Sequence, residues 1–172
     1  MWRACAGLLL PLLLLPAVAL ADERFDHRGA VALLVGGGGS ILDVDTPVLA
    51  VHGNRGLVDL GGTWAIGYNG NELLGQVRVA LGGTVLDWSV MAGYRGYFGY
   101  DRLKTFLDVQ LVALVKPTFL IGPRLGGGVQ FELTPNVGVF AGLGFQIGAG
   151  TGLLFSRELF GGIQLRSYLL EP

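Results

Sequence analysis

The chain is short of cysteine, of histidine and of any block of like charge. Its single cysteine, Cys5, falls within the first 21 residues. A mature chain without it can form no disulfide and use no thiolate. Only two histidines, His27 and His52, are present. Lys and Arg number 12 against 13 Asp and Glu, with no basic run, which excludes nucleic acid as a partner. The run Gly36-Gly37-Gly38-Gly39 lacks the Lys and Ser/Thr that a phosphate-cradling loop places after its glycines. A convincing apolar helix beyond the leader is missing too. The best candidate, Leu133 to Ser156, is uncharged and long enough to span a bilayer. Its glycines argue otherwise. Gly138, Gly142, Gly144, Gly148, Gly150 and Gly152 share one parity, and Val137, Val139, Ala141, Leu143, Phe145 and Ile147 take the other. A helix has no use for strict parity. A narrow barrel does, because small residues on its inner face leave room for long neighbours.

What is present begins with a leader. Arg3 supplies a positive start, Leu8 to Leu15 an apolar core interrupted by Pro11, and Ala19-Leu20-Ala21 a small-x-small cleavage site. Residues 1–21 therefore read as a secretory signal peptide, and 22–172 as one mature domain. Cys5 does not stand at the end of the apolar core, which argues against a lipoprotein anchor.

The mature chain alternates with a period of two. Leu73, Val77, Val79 and Leu81 oppose Gln76 and Arg78. Leu86, Trp88, Val90, Ala92 and Tyr94 oppose Asp87, Ser89, Met91, Gly93 and Arg95. Leu107, Val109, Leu111 and Ala113 oppose Asp108, Gln110 and Val112. Strands put successive side chains on opposite faces, so each segment has an oily and a polar side. Turn signals mark eight strands, at about 28–37, 56–68, 73–81, 85–98, 104–115, 118–132, 137–147 and 153–169. The four-glycine run is expected to end the first strand and open a loop through Arg55. Asn69-Gly70-Asn71-Glu72 is expected to form a tight turn.

Eight strands close a barrel whose interior is just filled by its own side chains. The predicted fold is all-β: an eight-stranded antiparallel up-and-down transmembrane β-barrel. The inward set would be Asp59, Arg78, Asp87, Arg95, Lys104, Asp108, Arg124, Glu132, Glu158 and Arg166, balanced in sign and interleaved with Gln76, Gln110, Gln130, Gln146 and Gln164. Such a set can satisfy itself in a low-dielectric core, so the interior reads as a plug. Large outward residues cluster near strand ends as two aromatic girdles: Trp64, Tyr68, Tyr94, Phe98 and Phe131 on one side, and Trp88, Phe119 and Phe155 on the other. A soluble barrel with its apolar face inward is disfavoured by those girdles and by the glycine content of the polar face.

On these features the chain resembles the small eight-stranded outer-membrane barrels of Gram-negative bacteria, the OmpA-type class. More narrowly, Gly99-Tyr100-Asp101-Arg102-Leu103-Lys104-Thr105-Phe106 and Gly162-Ile163-Gln164-Leu165-Arg166-Ser167-Tyr168 resemble a group of uncharacterised outer-membrane barrels. The resemblance implies an outer-membrane location, contact with outer-membrane lipids and with the barrel-assembly machinery, and a monomer. Such barrels end on an aromatic residue. Here Tyr168 would take that part, with Leu169-Leu170-Glu171-Pro172 following.

For chemistry, the sharpest arrangement is His52 as base, Ser40 as nucleophile and Asp43 or Asp45 as orienter. A polar loop holding one histidine is the simpler reading. No cofactor or metal site is expected. Three functions follow: a non-enzymatic outer-membrane barrel serving envelope structure or loop-mediated interaction, a lipid-modifying outer-membrane enzyme, and a soluble secreted barrel holding a small apolar ligand. The first is preferred.

Overall fold

The computed structural model describes residues 29–45, 50–66, 71–82, 87–99, 102–116 and 119–168. The leader, His27 and Tyr68 lie outside these residues. Every regular element among them is a strand: β1 Ala30–Asp45, β2 Ala50–Ile66, β3 Asn71–Leu81, β4 Asp87–Phe98, β5 Leu103–Lys116, β6 Leu120–Thr134, β7 Val137–Gly150 and β8 Leu153–Tyr168. Each strand pairs antiparallel with its neighbours in sequence, and β1 pairs with β8 to close the barrel. Ala30 stands opposite Tyr168, so the start of β1 and the end of β8 share one rim, here the terminal end. The opposite rim is the far end.

The alternation behind these strands reappears as burial. Along β5, Leu103, Thr105, Leu107, Val109 and Leu111 are exposed while Lys104, Phe106, Asp108 and Gln110 are buried. The pattern is inverted relative to a soluble sandwich: the apolar face looks outward.

One row of outward residues runs round the whole wall through paired neighbours. It passes from Asn54 to Ile41, Arg157, Phe145, Leu125, Val109, Tyr94, Leu73 and back to β2 at Trp64. The row starts at Asn54 and returns at Trp64, so the stagger is ten residues. With eight strands, that stagger requires a tilt of about 40° and a backbone radius of about 8 Å. This radius leaves room for side chains and no more.

The glycine run does not end the first strand. Gly36 to Gly39 pair with Asp59 to Gly56 on one side and with Gly162 to Leu159 on the other. The expected loop from Gly38 to Arg55 is instead a long hairpin that extends β1 to Asp45 and starts β2 at Ala50. Glycine usually weakens a strand, but at Gly36, Gly37 and Gly38 the neighbouring backbones approach too closely for a side chain. A Cβ on Gly38 would stand 2.0 Å from the Leu159 carbonyl oxygen. Nor does Glu72 belong to a turn. It lies in β3 and its side chain is buried.

The lumen and outer wall as candidate functional sites

The lumen is stacked in layers. Nearest the terminal end is a polar layer. Tyr97 donates its hydroxyl to Gln130 Oε1 at 2.9 Å. Gln164 Nε2 donates to Glu72 Oε1 at 2.8 Å, and Gln130 Nε2 to Gln164 Oε1 at 2.9 Å. Arg166 pairs with Glu132, and Lys104 is buried at the same level.

Above it lies an apolar layer of Leu34, Leu74, Tyr97, Phe106, Phe140 and Phe160. Arg95 crosses this layer with its guanidinium 4.1 Å from the Phe106 ring centroid, a cation–π contact. Its Nε and Nη2 donate to Asp108 at 2.6 and 2.9 Å. That fork-to-fork geometry is the strongest form of a charged hydrogen bond.

The middle layer holds a bridged set. Arg78 donates two hydrogen bonds to Asp59, at 2.6 and 2.9 Å, and one to Glu158 at 2.6 Å. Arg124 Nε donates to the other oxygen of Glu158 at 2.8 Å and its Nη1 to Gln110 at 3.1 Å. Glycine makes this possible: a Cβ on Gly144 would stand 2.7 Å from Arg124 Nη2 and 3.0 Å from Glu158 Oε2.

Toward the far end, Arg55 pairs with Asp87. Here a cavity of about 40 Å³ is lined by Ser40, Arg55, Asp87, Ser89, Gln146 and Ser156 among others. It has room for about two or three waters. Leu42, Val44, Leu114, Leu120 and Leu154 cap it.

All ten charges expected inside are buried. Parity reasoning missed one of each sign, Arg55 and Glu72. Among the described residues, six buried cations (Arg55, Arg78, Arg95, Lys104, Arg124, Arg166) stand with six buried carboxylates (Asp59, Glu72, Asp87, Asp108, Glu132, Glu158). The missed pair shares parity with recognised inward residues: Arg55 with Asp59, and Glu72 with Gln76. Both lay in segments read as loop or turn. The expected polar lumen also holds an apolar layer that the sequence reading did not name. Phe106, Phe140 and Phe160 have inward parity, yet aromatic residues on the polar face carry no sequence signal of their own.

The expected catalytic set is divided by the wall. His52 Nδ1 lies 3.0 Å from Asp43 Oδ1 on the outside, where both are exposed. Ser40 is buried and lines the lumen cavity. Ser40 and Asp43 stand three positions apart on β1, an odd number, so they face opposite sides of the wall, and His52 pairs with Asp43. Among the described residues no cluster of three His, Cys, Asp or Glu is placed to hold a metal.

The outer wall is a continuous apolar belt, with Leu60, Leu107, Val109, Leu111, Leu125, Leu143 and Leu159 each more than half exposed. Soluble proteins do not expose such a surface. Trp64, Phe98 and Phe131 stand toward the terminal end, and Phe119, Phe155 and the half-buried Trp88 toward the far end. Rise and tilt put these two levels about 25 Å apart, the height of a membrane-facing band. Tyr94 is four residues from Phe98, so it lies about 10 Å into the band rather than at its rim.

This arrangement has solved counterparts. The N-terminal β-barrel domain of Pseudomonas aeruginosa OprF superposes with a TM-score of 0.60 at 13% identity, over 81% of this chain and 98% of that one. Neisserial surface protein A superposes with a TM-score of 0.54 at 16% identity, over 80% of this chain and 99% of that one. A designed transmembrane β-barrel gives 0.54 at 14% identity, over 80% and 94%. The fold is that of the small outer-membrane barrels. No sequence-family profile matches the chain, and no curated protein matches it. Likeness at such identities is a likeness of fold alone. The designed barrel makes the point, since stagger and patterning suffice to specify it.

Proposed function

We propose that the protein is a non-enzymatic integral barrel of the Gram-negative outer membrane, serving envelope structure as a monomer in contact with outer-membrane lipids. The observation that carries this reading is the filled lumen. Among the described residues six cations and six carboxylates are buried in it, an aromatic layer crosses it, and an apolar cluster caps it. A water column has no path through such stacking. The connections at the far end are short, the longest lying between Leu81 and Asp87. That favours a structural role over loop-mediated interaction. Against lipid-modifying chemistry, the His52–Asp43 pair has Ser40 on the wrong side of the wall. Planar-bilayer recording tests the reading: the purified protein is expected to give no steady conductance. A large stable current would overturn the plugged barrel and favour a transporter.

A further inference from the structure

The outer wall carries one charge out of place. Arg157 faces outward from β8, exposed between Phe155 and Leu159 along its strand and between Phe145 and Ile41 on the neighbouring strands. A cation in a lipid-facing band is costly unless it reaches the headgroups or finds a counter-charge. Among the described residues Arg157 forms no ion pair with a carboxylate. Asp43, the nearest outward acid by register, is engaged by His52 at 3.0 Å. The Arg157 guanidinium instead lies 5.7 Å from the Phe155 ring centroid. Phe155 is nearer the far end, so the side chain reaches toward the rim, as a snorkelling arginine does.

Beside it the wall has an open depression. A groove of about 410 Å³ is lined by Gly39, Ile41, Asn54, Leu143, Arg157 and Leu159 together with parts of Ser40, Arg55 and Glu158. Gly39 stands between Gly56 and Leu159 across the sheet. The tilt sets Asn54 and Arg157 toward the far end and Leu159 and Leu143 deeper in the band. The groove therefore has polar donors at headgroup height and an apolar floor running toward the bilayer centre.

We infer that this groove holds one phosphate-bearing anionic lipid of the leaflet at the far end, with its phosphate on Arg157 and Asn54 and an acyl chain over Gly39. Charge complementarity selects an anion, and arginine matches phosphate geometry best. The membrane supplies the lipid. This inference deepens the structural role proposed above and names the lipid class. It does not depend on which leaflet faces outside.

The experiment is native mass spectrometry of the full mature barrel in detergent, titrated with dimyristoyl phosphatidylglycerol or with dimyristoyl phosphatidylcholine. The chains are identical, and only the net headgroup charge differs. Wild type is expected to retain one phosphatidylglycerol at saturation, at least about fivefold better than phosphatidylcholine, a difference of about 1 kcal/mol. Arg157→Gln should abolish that preference, and Arg157→Lys should keep part of it. Gly39→Leu should reduce retention of both lipids by filling the groove. A Cβ there meets only the Arg55 carbonyl oxygen, at 3.7 Å, so the backbone leaves room for a side chain to start, and a gel shift on heating equal to wild type checks that Gly39→Leu folds. Absence of a headgroup preference in wild type would overturn the inference, as would an unchanged preference in Arg157→Gln. A dimer that persists in lipid and is lost in Gly39→Leu would assign the groove to a second copy instead. A conducting wild type that still selects phosphatidylglycerol would refute the plugged lumen alone.

Discussion

Arg124 shows what a single buried charge does here. It sits between Glu158 and Gln110, 2% exposed, with Asp108 3.9 Å away. Truncating one member of a buried pair leaves the other charged and unpartnered, which typically costs about 3–5 kcal/mol. Glu158 keeps its bond from Arg78 at 2.6 Å, so Arg124→Ala is expected to lower unfolding stability by less than that amount. Urea titration of the folded fraction, read by the gel shift between unheated and boiled samples, measures it. A stability equal to wild type would show that the lumen charges are already hydrated. Arg124→Ala should still give no large pore, because the aromatic layer and the apolar cap remain in place. The partner was not legible in the sequence. Parity assigns a residue to a face, whereas the choice of Glu158 depends on which strands meet across the lumen.

At the scale of the strand, the wall is decided by parity and by close approach. Val109 and Leu143 face outward about midway between the two aromatic levels. Replacing either by Arg should cost about 2–4 kcal/mol in a bilayer, as for lipid-facing positions at the midplane. Refolding into vesicles of fixed composition, with denaturant titration, gives the number. A cost near zero would place these residues away from the membrane. Gly38→Val tests the β1–β8 seam. Its Cβ has no space beside the Leu159 carbonyl oxygen, so overpacking of about 1–3 kcal/mol or more is expected. The measurement is the thermal midpoint of the unheated band. An unchanged midpoint would mean the seam relaxes freely. Here the sequence misled: a run of four glycines carries the composition of a loop, and only the partner strands on either side make it a strand.

Across the whole molecule, the even number of strands puts Ala30 and Tyr168 at one rim. With that rim in the periplasm, Asn54 lies toward the cell exterior and Asn71, the first residue of β3, toward the periplasm. Cysteine introduced at Asn54 should react with an impermeant maleimide on intact cells, and cysteine at Asn71 should not. Cys5 is the single native thiol of the chain, so a Cys5→Ser background leaves the introduced cysteine alone to react. The reverse labelling would invert the topology while leaving the barrel itself intact.

The period-two alternation and the turn signals determined the fold class, the strand number and the face of residues within the segments they marked as strands. They are local properties of the chain, since a strand's side chains alternate whatever it pairs with. Ten of the twelve buried charges were legible for that reason. The stagger was not, nor was the extension of β1 through Gly36 to Gly39. Closure depends on which backbone lies beside which, and many registers share one pattern. The same holds for the aromatic layer, the Arg78–Glu158–Arg124 bridge and the groove beside Arg157. Each joins residues far apart in sequence, so each came into being only when the β1–β8 seam closed and set the neighbours across the lumen and around the wall.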